Sequence, residues 1–591
     1  MSQMILRQCQ SLTGVHYNGI QCYAREIVRR SIAPGLVRRY VNAAPSDDKP
    51  SPALRLSTSA ILIPRSVKNI RPVDLLDRIT PLPRDEIARN NFCVFLITPA
   101  FATWMLDETA LGDHTFLAQA VHRVYTKGLK RKTGHLQVQV LCAVVDKVPA
   151  GKSLKPGASL QEEIEQFATG PPVDGTGFEG IAYATFPSTA SKPSAFPGSQ
   201  DKGAIDFTLA THTPGEEGTL NDMWRLPLAN TVFQTGRPTT MSISSWDLNL
   251  QAKTPILLKR RNISHHGINL SSTPAVSRTS SVLSIALSPL TFPRTADGCM
   301  GNIIRRVIGP EGESITASSE LEKVVPQFYQ ARSEPARPTT VWALVIPKAK
   351  IKQLDSRTRR LLGMRIAKSE KGTDAMDVLW KRLWQAEDPW TRNTLVTTAI
   401  AEGARLHRVL SGGGGWGKKA GLLSLDPVPV TEEVPIQTDD ATSEFSGPGD
   451  FSEALTPVLR DGDAIQFFIS PGLHDQLDDD KKMKRLKLLA RQGAGGVQLG
   501  TVPSTIDSVP GQSQQHIATD DGYVAVFKNS FGALTEAGLT LTRRLTPQDQ
   551  NQRPVLTTMI DVPYSRLWSV GLEDGEGSTK HVETAEVQLG T

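Results

Sequence analysis

The apolar residues of this chain come in many short runs instead of a few long ones. The longest, 92–98 and 138–145, fall far short of the ~18–20 residues needed to cross a bilayer as a helix. No transmembrane segment is therefore expected, and the core must be assembled from short elements. The stretches 91–98 and 137–145 read as β-strands. Between them, Phe116, Leu117, Ala120, Val121 and Val124 recur at helical spacing over 115–126, followed by a basic loop at 127–132. Helix, loop and strand in that order suit α/β and α+β domains. Further β-like pieces lie at 180–186, 204–209, 231–234, 241–245 and 281–287, with a polar stretch at 259–280. The run 341–347 is the cleanest buried strand. Strands are also predicted at 463–470, 523–527 and 556–562, a charged helix at 476–491, and a loop-rich insert at 493–511. The expected fold class is α+β (mixed α/β) and multi-domain, with a β-rich middle, a helical basic segment and flexible linkers. The divisions are a presequence at 1–40, a disordered lead-in at 41–60, an N-terminal α+β domain at 61–300 and a basic α/β segment at 301–425. An acidic linker at 426–459, a C-terminal α+β region at 460–572 and a polar tail at 573–591 follow.

Local charge is more informative than the overall balance of +6. Residues 348–419 hold sixteen Lys and Arg against seven acids, a difference of +9. Residues 420–459 hold no Lys or Arg and eight acids, Asp426 and Glu432 among them. The basic segment ends in the chain's densest glycine run, Ser411 to Gly421, in which Gly412, Gly413, Gly414 and Gly415 are consecutive. Trp416, Gly417, Lys418 and Lys419 follow, and Arg405 and Arg408 precede. Backbone without side chains lets N–H groups approach an anion closely. These residues, Arg405, Arg408 and Gly412 to Lys419, are the candidate phosphate- or RNA-binding site. Gly412 to Lys418 satisfies the Gly-x-x-x-x-Gly-Lys pattern of an ATP-binding loop. The Ser or Thr that would hold Mg²⁺ is replaced by Lys419, and Pro427 interrupts the helix such a loop must open. A loop that holds phosphate without hydrolysing it fits better.

The N-terminus has the composition of a mitochondrial transit peptide. Residues 1–46 carry Arg7, Arg25, Arg29, Arg30, Arg38 and Arg39 against the single acid Glu26. Ile20, Tyr23, Ile27 and Val28 can share one side of a basic amphipathic helix. Cleavage is expected near Val41, which places the protein in the mitochondrial matrix. Cys93, Cys142 and Cys299 are widely separated and form neither a disulfide framework nor a metal pair.

Other motifs narrow the chemistry. Ile308-Gly-Pro-Glu-Gly-Glu-Ser-Ile315 has the spacing of a KH RNA-binding loop, with helices expected at 302–307 and 315–325. Pro310 and Glu311 at its variable positions oppose phosphate binding, so the match reads as coincidental. His265 and His266 lack a third ligand at metal-site spacing. Trp380 and Trp384, four apart on a predicted helix, read as core. No hydrolase, zinc-protease or dinucleotide-binding signature is present. The sequence leans away from an enzyme, assigns no catalytic residue and implies no cofactor or metal. The stretches 226–237 and 407–427 resemble blocks of a poorly characterised family of fungal-type mitochondrial proteins, a resemblance that carries no activity. The expected function is binding of RNA or the mitochondrial ribosome in mitochondrial translation or gene expression. Alternatives are an assembly factor for a respiratory complex, acting through protein partners, and an enzyme that binds a nucleotide or phosphometabolite with the glycine loop.

Overall fold

The structure is a computed structural model. It describes residues 58–106, 115–126, 135–150, 177–194, 203–212, 219–249, 255–270, 279–309, 312–336, 339–354, 356, 384–385, 389–412, 421–427, 458–469, 496–504, 524–546 and 556–571. The expected presequence, lead-in and polar tail, most of the acidic linker, and the predicted helix at 476–491 lie outside these residues.

The described residues form a mixed α+β structure rich in strands. Phe92–Ile97 and Ile181–Phe186 are buried at every position, as a strand covered on both faces must be. They pair antiparallel in the middle of a seven-stranded sheet. Its order is Val524–Lys528, Ser59–Pro64, Ile181–Phe186, Phe92–Ile97, His135–Val144, Met241–Asn249, Ile256–Asn262. Phe92–Ile97 runs parallel to His135–Val144. Parallel neighbours need a crossover, which contains the helix Phe116–Thr126 expected from its spacing. Phe116, Ala120, Val121 and Val124 of that helix join Phe95, Ile97, Val140 and Cys142 in one cluster. Phe92, Val94, Leu96 and Leu141, which alternate with them, enter the largest core.

A six-stranded sheet follows the order Leu556–Ile560, Leu539–Thr546, Thr219–Pro227, Ala204–His212, His265–Asn269, Ser191–Lys192. A four-stranded sheet runs Thr279–Ser284, Arg566–Gly571, Gly496–Thr501, Ser530–Thr535. A further sheet is built on Ala464–Ile469, Val341–Ile346, Arg405–Gly412 and Leu423–Leu425. All four sheets contribute to the largest core: Phe92 and Ile61 from the first, Phe207 and Leu541 from the second, Leu499 and Leu567 from the third, Trp342 and Leu406 from the fourth. The sheets do not follow the divisions expected at 300, 425 and 460. Val524–Lys528 pairs with Ser59–Pro64, and Leu539–Thr546 pairs with Thr219–Pro227. Arg543 and Asp222, directly opposite in the latter pair, form a two-pronged ion pair at 2.8 and 2.9 Å. Asp206 and Arg225 do the same one strand further on, at 2.7 and 3.0 Å.

Several expectations are corrected. The piece at 231–234 is not β-like. Val232–Thr235 is a single helical turn closed by Gly236 at φ +71°, with the hydroxyls of Thr231, Thr235 and Thr240 bonded to one another beneath it. The insert at 493–511 contains the buried strand Gly496–Thr501, whose glycines disguise it. The polar stretch 259–280 contains strand Ile256–Asn262 from Lys259 on, all of His265–Asn269 and the start of Thr279–Ser284. Neither helix of the KH-like segment forms as expected. Arg306–Ile308 and Ser314–Thr316 pair antiparallel, and the helix Ala317–Ala331 continues through Pro326. The apolar residues Val307 and Leu321 pull these elements into a third core, where Phe328, Tyr329 and Trp384 also pack. Among the described residues no helix is long and apolar enough to cross a membrane.

Candidate functional site at the glycine-rich hairpin

Arg405–Gly412 leaves the helix Pro389–Ala401 through Gly403, at φ +96°. It pairs with Val341–Ile346 on one side, with Trp342 opposite Arg408 and Ala343 opposite His407. On its other side it pairs with Leu423–Leu425, with Gly412 opposite Leu423 and an irregularity between Val409 and Ser411. The glycine run is thus the connection of a β-hairpin. Gly413, Gly414, Gly415, Trp416, Gly417, Lys418 and Lys419 themselves lie outside the described residues. A strand follows this run where an ATP-binding loop would open a helix, so the hairpin lacks that loop's architecture.

The base of the hairpin is built closely. Gly421 has φ +85°, and a Cβ there would lie 2.8 Å from the Cβ of Thr316. Only glycine meets both demands. The Gly421 carbonyl accepts a bond from Ser318 N–H at 3.4 Å, so the hairpin root touches the first turn of Ala317–Ala331. Ala317 N–H is bonded to the Arg305 carbonyl at 3.2 Å. The side chains of Arg305 and Arg306 are exposed beside this turn. Helix N-termini carry partial positive charge, and the exposed Arg305 adds to it, while Arg306 is paired with the Asp297 carboxylate at 3.4 Å.

The two arginines expected at the site separate. Residues three apart on a strand face opposite sides of the sheet. Arg405 turns inward and donates from Nη2 to the Val458 carbonyl at 2.6 Å, and burial lowers its pKa. Arg408 is exposed on the other face, where its charge acts on Asp561. That carboxyl accepts Trp342 Nε1–H at 2.6 Å and is held above the usual carboxylate range by burial. Arg408 is therefore available to a ligand, whereas Arg405 is committed to the fold. A cavity of about 10 Å³ beside Arg405, Leu541, Arg543 and Thr558 holds no more than one water.

Sequence reasoning passed over His407, which is fully buried between the two arginines. Its Nδ1–H donates to the Asp426 carbonyl at 2.9 Å, and its Nε2 has no partner. Burial depresses its pKa to about 4. It also passed over Arg305 and Arg306, which only the pairing of distant strands brings to the hairpin, and it took Gly421 as the end of the glycine run without placing it in the site. No group of three His, Cys, Asp or Glu that could hold a metal ion occurs among the described residues. His266 packs on Phe92 and bonds Ser191 Oγ at 3.1 Å. The Cys299 thiol is pushed up to about 12, by burial first and then by Asp461, whose carboxylate it bonds at 3.1 Å. It is not a thiolate at neutral pH. No protein-family profile, no curated protein and no solved structure matches the chain.

Proposed function

We propose that the chain is a mitochondrial matrix protein that binds RNA, free or within the ribosome, through the glycine-rich hairpin. The observation that carries this reading is the hairpin root, where Gly421 packs on the N-terminal turn of a fifteen-residue helix flanked by exposed Arg305 and Arg306. Lys418 and Lys419 add charge to the connection, and Arg408 adds it on the neighbouring strand. Contacts of this kind hold a phosphate backbone and do not read bases. With about four phosphates neutralised, the slope of log affinity against log salt is expected to be roughly −3 on single strands. Replacing both Lys418 and Lys419 by Ala should flatten that slope by roughly 1.4. Gly421→Ala should weaken RNA binding as well, and cost on the order of 1–2 kcal/mol in urea unfolding from the left-handed backbone. Crosslinking in intact mitochondria with sequencing of recovered RNA identifies the target. Salt-independent binding, or binding unchanged in the Lys418/Lys419 variant, would sink the proposal.

A second reading, assembly through a protein partner, draws on Phe233. This side chain is 96% exposed on the helical turn that the threonine hydroxyls hold in place. Loss of a crosslinked protein subunit in Phe233→Ser, with RNA recovery intact, would favour it.

A further inference from the structure

The four-stranded sheet contains a buried cation that has no anionic partner among the described residues. Arg566 is 1% exposed. Its Nη1 donates to the carbonyls of Thr501 and Ser565. Its Nε and Nη2 are buried and have no hydrogen-bond partner. Among the described residues no carboxylate pairs with it. Nε and Nη2 form one edge of the guanidinium, the fork that grips a carboxylate or phosphate with two parallel bonds.

The surroundings are shaped around this fork. Gly500 stands directly opposite Arg566, and a Cβ there would come within 2.3 Å of Arg566 Cδ, so the arginine lies across a position that only glycine leaves open. Gln498, two residues along the same strand, is 4% exposed, and neither its Oε1 nor its Nε2 has a partner. The alternating residues Leu499 and Leu567 face the largest core, so Arg566 and Gln498 share the opposite face. Diagonal neighbours of this kind lie on the order of 7 Å apart, a span one small oxyanion bridges. A buried charge and a buried amide left unbonded are costly. Burial accordingly lowers the guanidinium pKa to about 9.

We propose that Arg566 and Gln498 form a receptor for a small oxyanion, a carboxylate or a phosphate. The anion sits on the Nε–Nη2 edge and accepts a further bond from the Gln498 amide. This site is on a different sheet from the glycine hairpin and does not depend on RNA binding.

The test uses the full chain in thermal unfolding, with sodium malonate in one arm, sodium phosphate in another, and sodium chloride at matched ionic strength as the reference. The parent should show a saturable rise in midpoint with at least one of the first two, and the larger response names the ligand class. Arg566→Met should abolish the response. Arg566→Lys, which keeps the charge but loses the fork, and Gln498→Leu should each weaken affinity at least tenfold by calorimetric titration, which keeps the test open if the methionine variant fails to fold. Equal responses in the parent and these variants would overturn the proposal. So would a parent indifferent to both anions.

Discussion

His407 shows how one residue couples the hairpin to pH. Burial holds its ring neutral, with the pKa moved from 6.5 down to about 4. Between those values the unfolded chain takes up a proton that the folded chain refuses. Stability is therefore fully present above pH 6.5, falls as pH drops toward 4, and levels off below. The full loss is on the order of 3 kcal/mol. His266, also buried and also depressed to about 4, acts in the same direction. Urea unfolding at pH 7 and pH 5 should show roughly 2 kcal/mol of this loss from His407, and His407→Gln should remove that part. A variant that loses as much as the parent would assign the slope to other groups. The sequence displayed His407 between two arginines but held no sign of its burial, because burial is set by Ala343 opposite and by the core above the strand.

At the scale of elements, apolar spacing was readable wherever an element buries a continuous stripe. The helix Phe116–Thr126 and the strands Phe92–Ile97 and Val341–Ile346 appear within a residue or two of their expected limits. The failures occurred where local chemistry and tertiary contact disagree. Pro326 argued for a helix end, yet Ala317–Ala331 runs through it, because Leu321, Phe328 and Tyr329 on either side are buried together. A proline ten residues into a helix removes one backbone bond. Pro326 is exposed, so nothing in the core holds its ring. Pro326→Ala should stabilise the chain by about 1–3 kcal/mol, measured by chemical denaturation. A neutral or destabilising result would mean that the backbone constraint of this proline helps to seat Phe328 and Tyr329 against Trp384.

For the whole molecule the decisive feature is the return of the C-terminal strands to sheets begun near the N-terminus. Residues 524–571 supply an edge to the seven-stranded sheet and two strands to the six-stranded sheet. They also bury Phe531, Leu541 and Leu567 in the largest core. A fragment ending at 459 keeps the expected N-terminal and basic segments but exposes these faces. It should lack a cooperative thermal transition and be digested rapidly by protease, while the full chain resists. A fragment with a sharp transition and native-like circular dichroism would show that the N-terminal sheets are self-sufficient.

The sequence alone determined which short segments are apolar enough to be buried, the charge contrast between 348–419 and 420–459, and the concentration of glycine between Ser411 and Gly421. These are local properties of composition and spacing. The tertiary structure alone decided that the glycine run connects paired strands, that Arg405 faces inward while Arg408 faces out, and that Gly500 leaves room for Arg566. Each depends on register between strands far apart in the chain. A shift of one residue in that register exchanges the faces of a strand, and no local pattern in the sequence records which register the packed core selects.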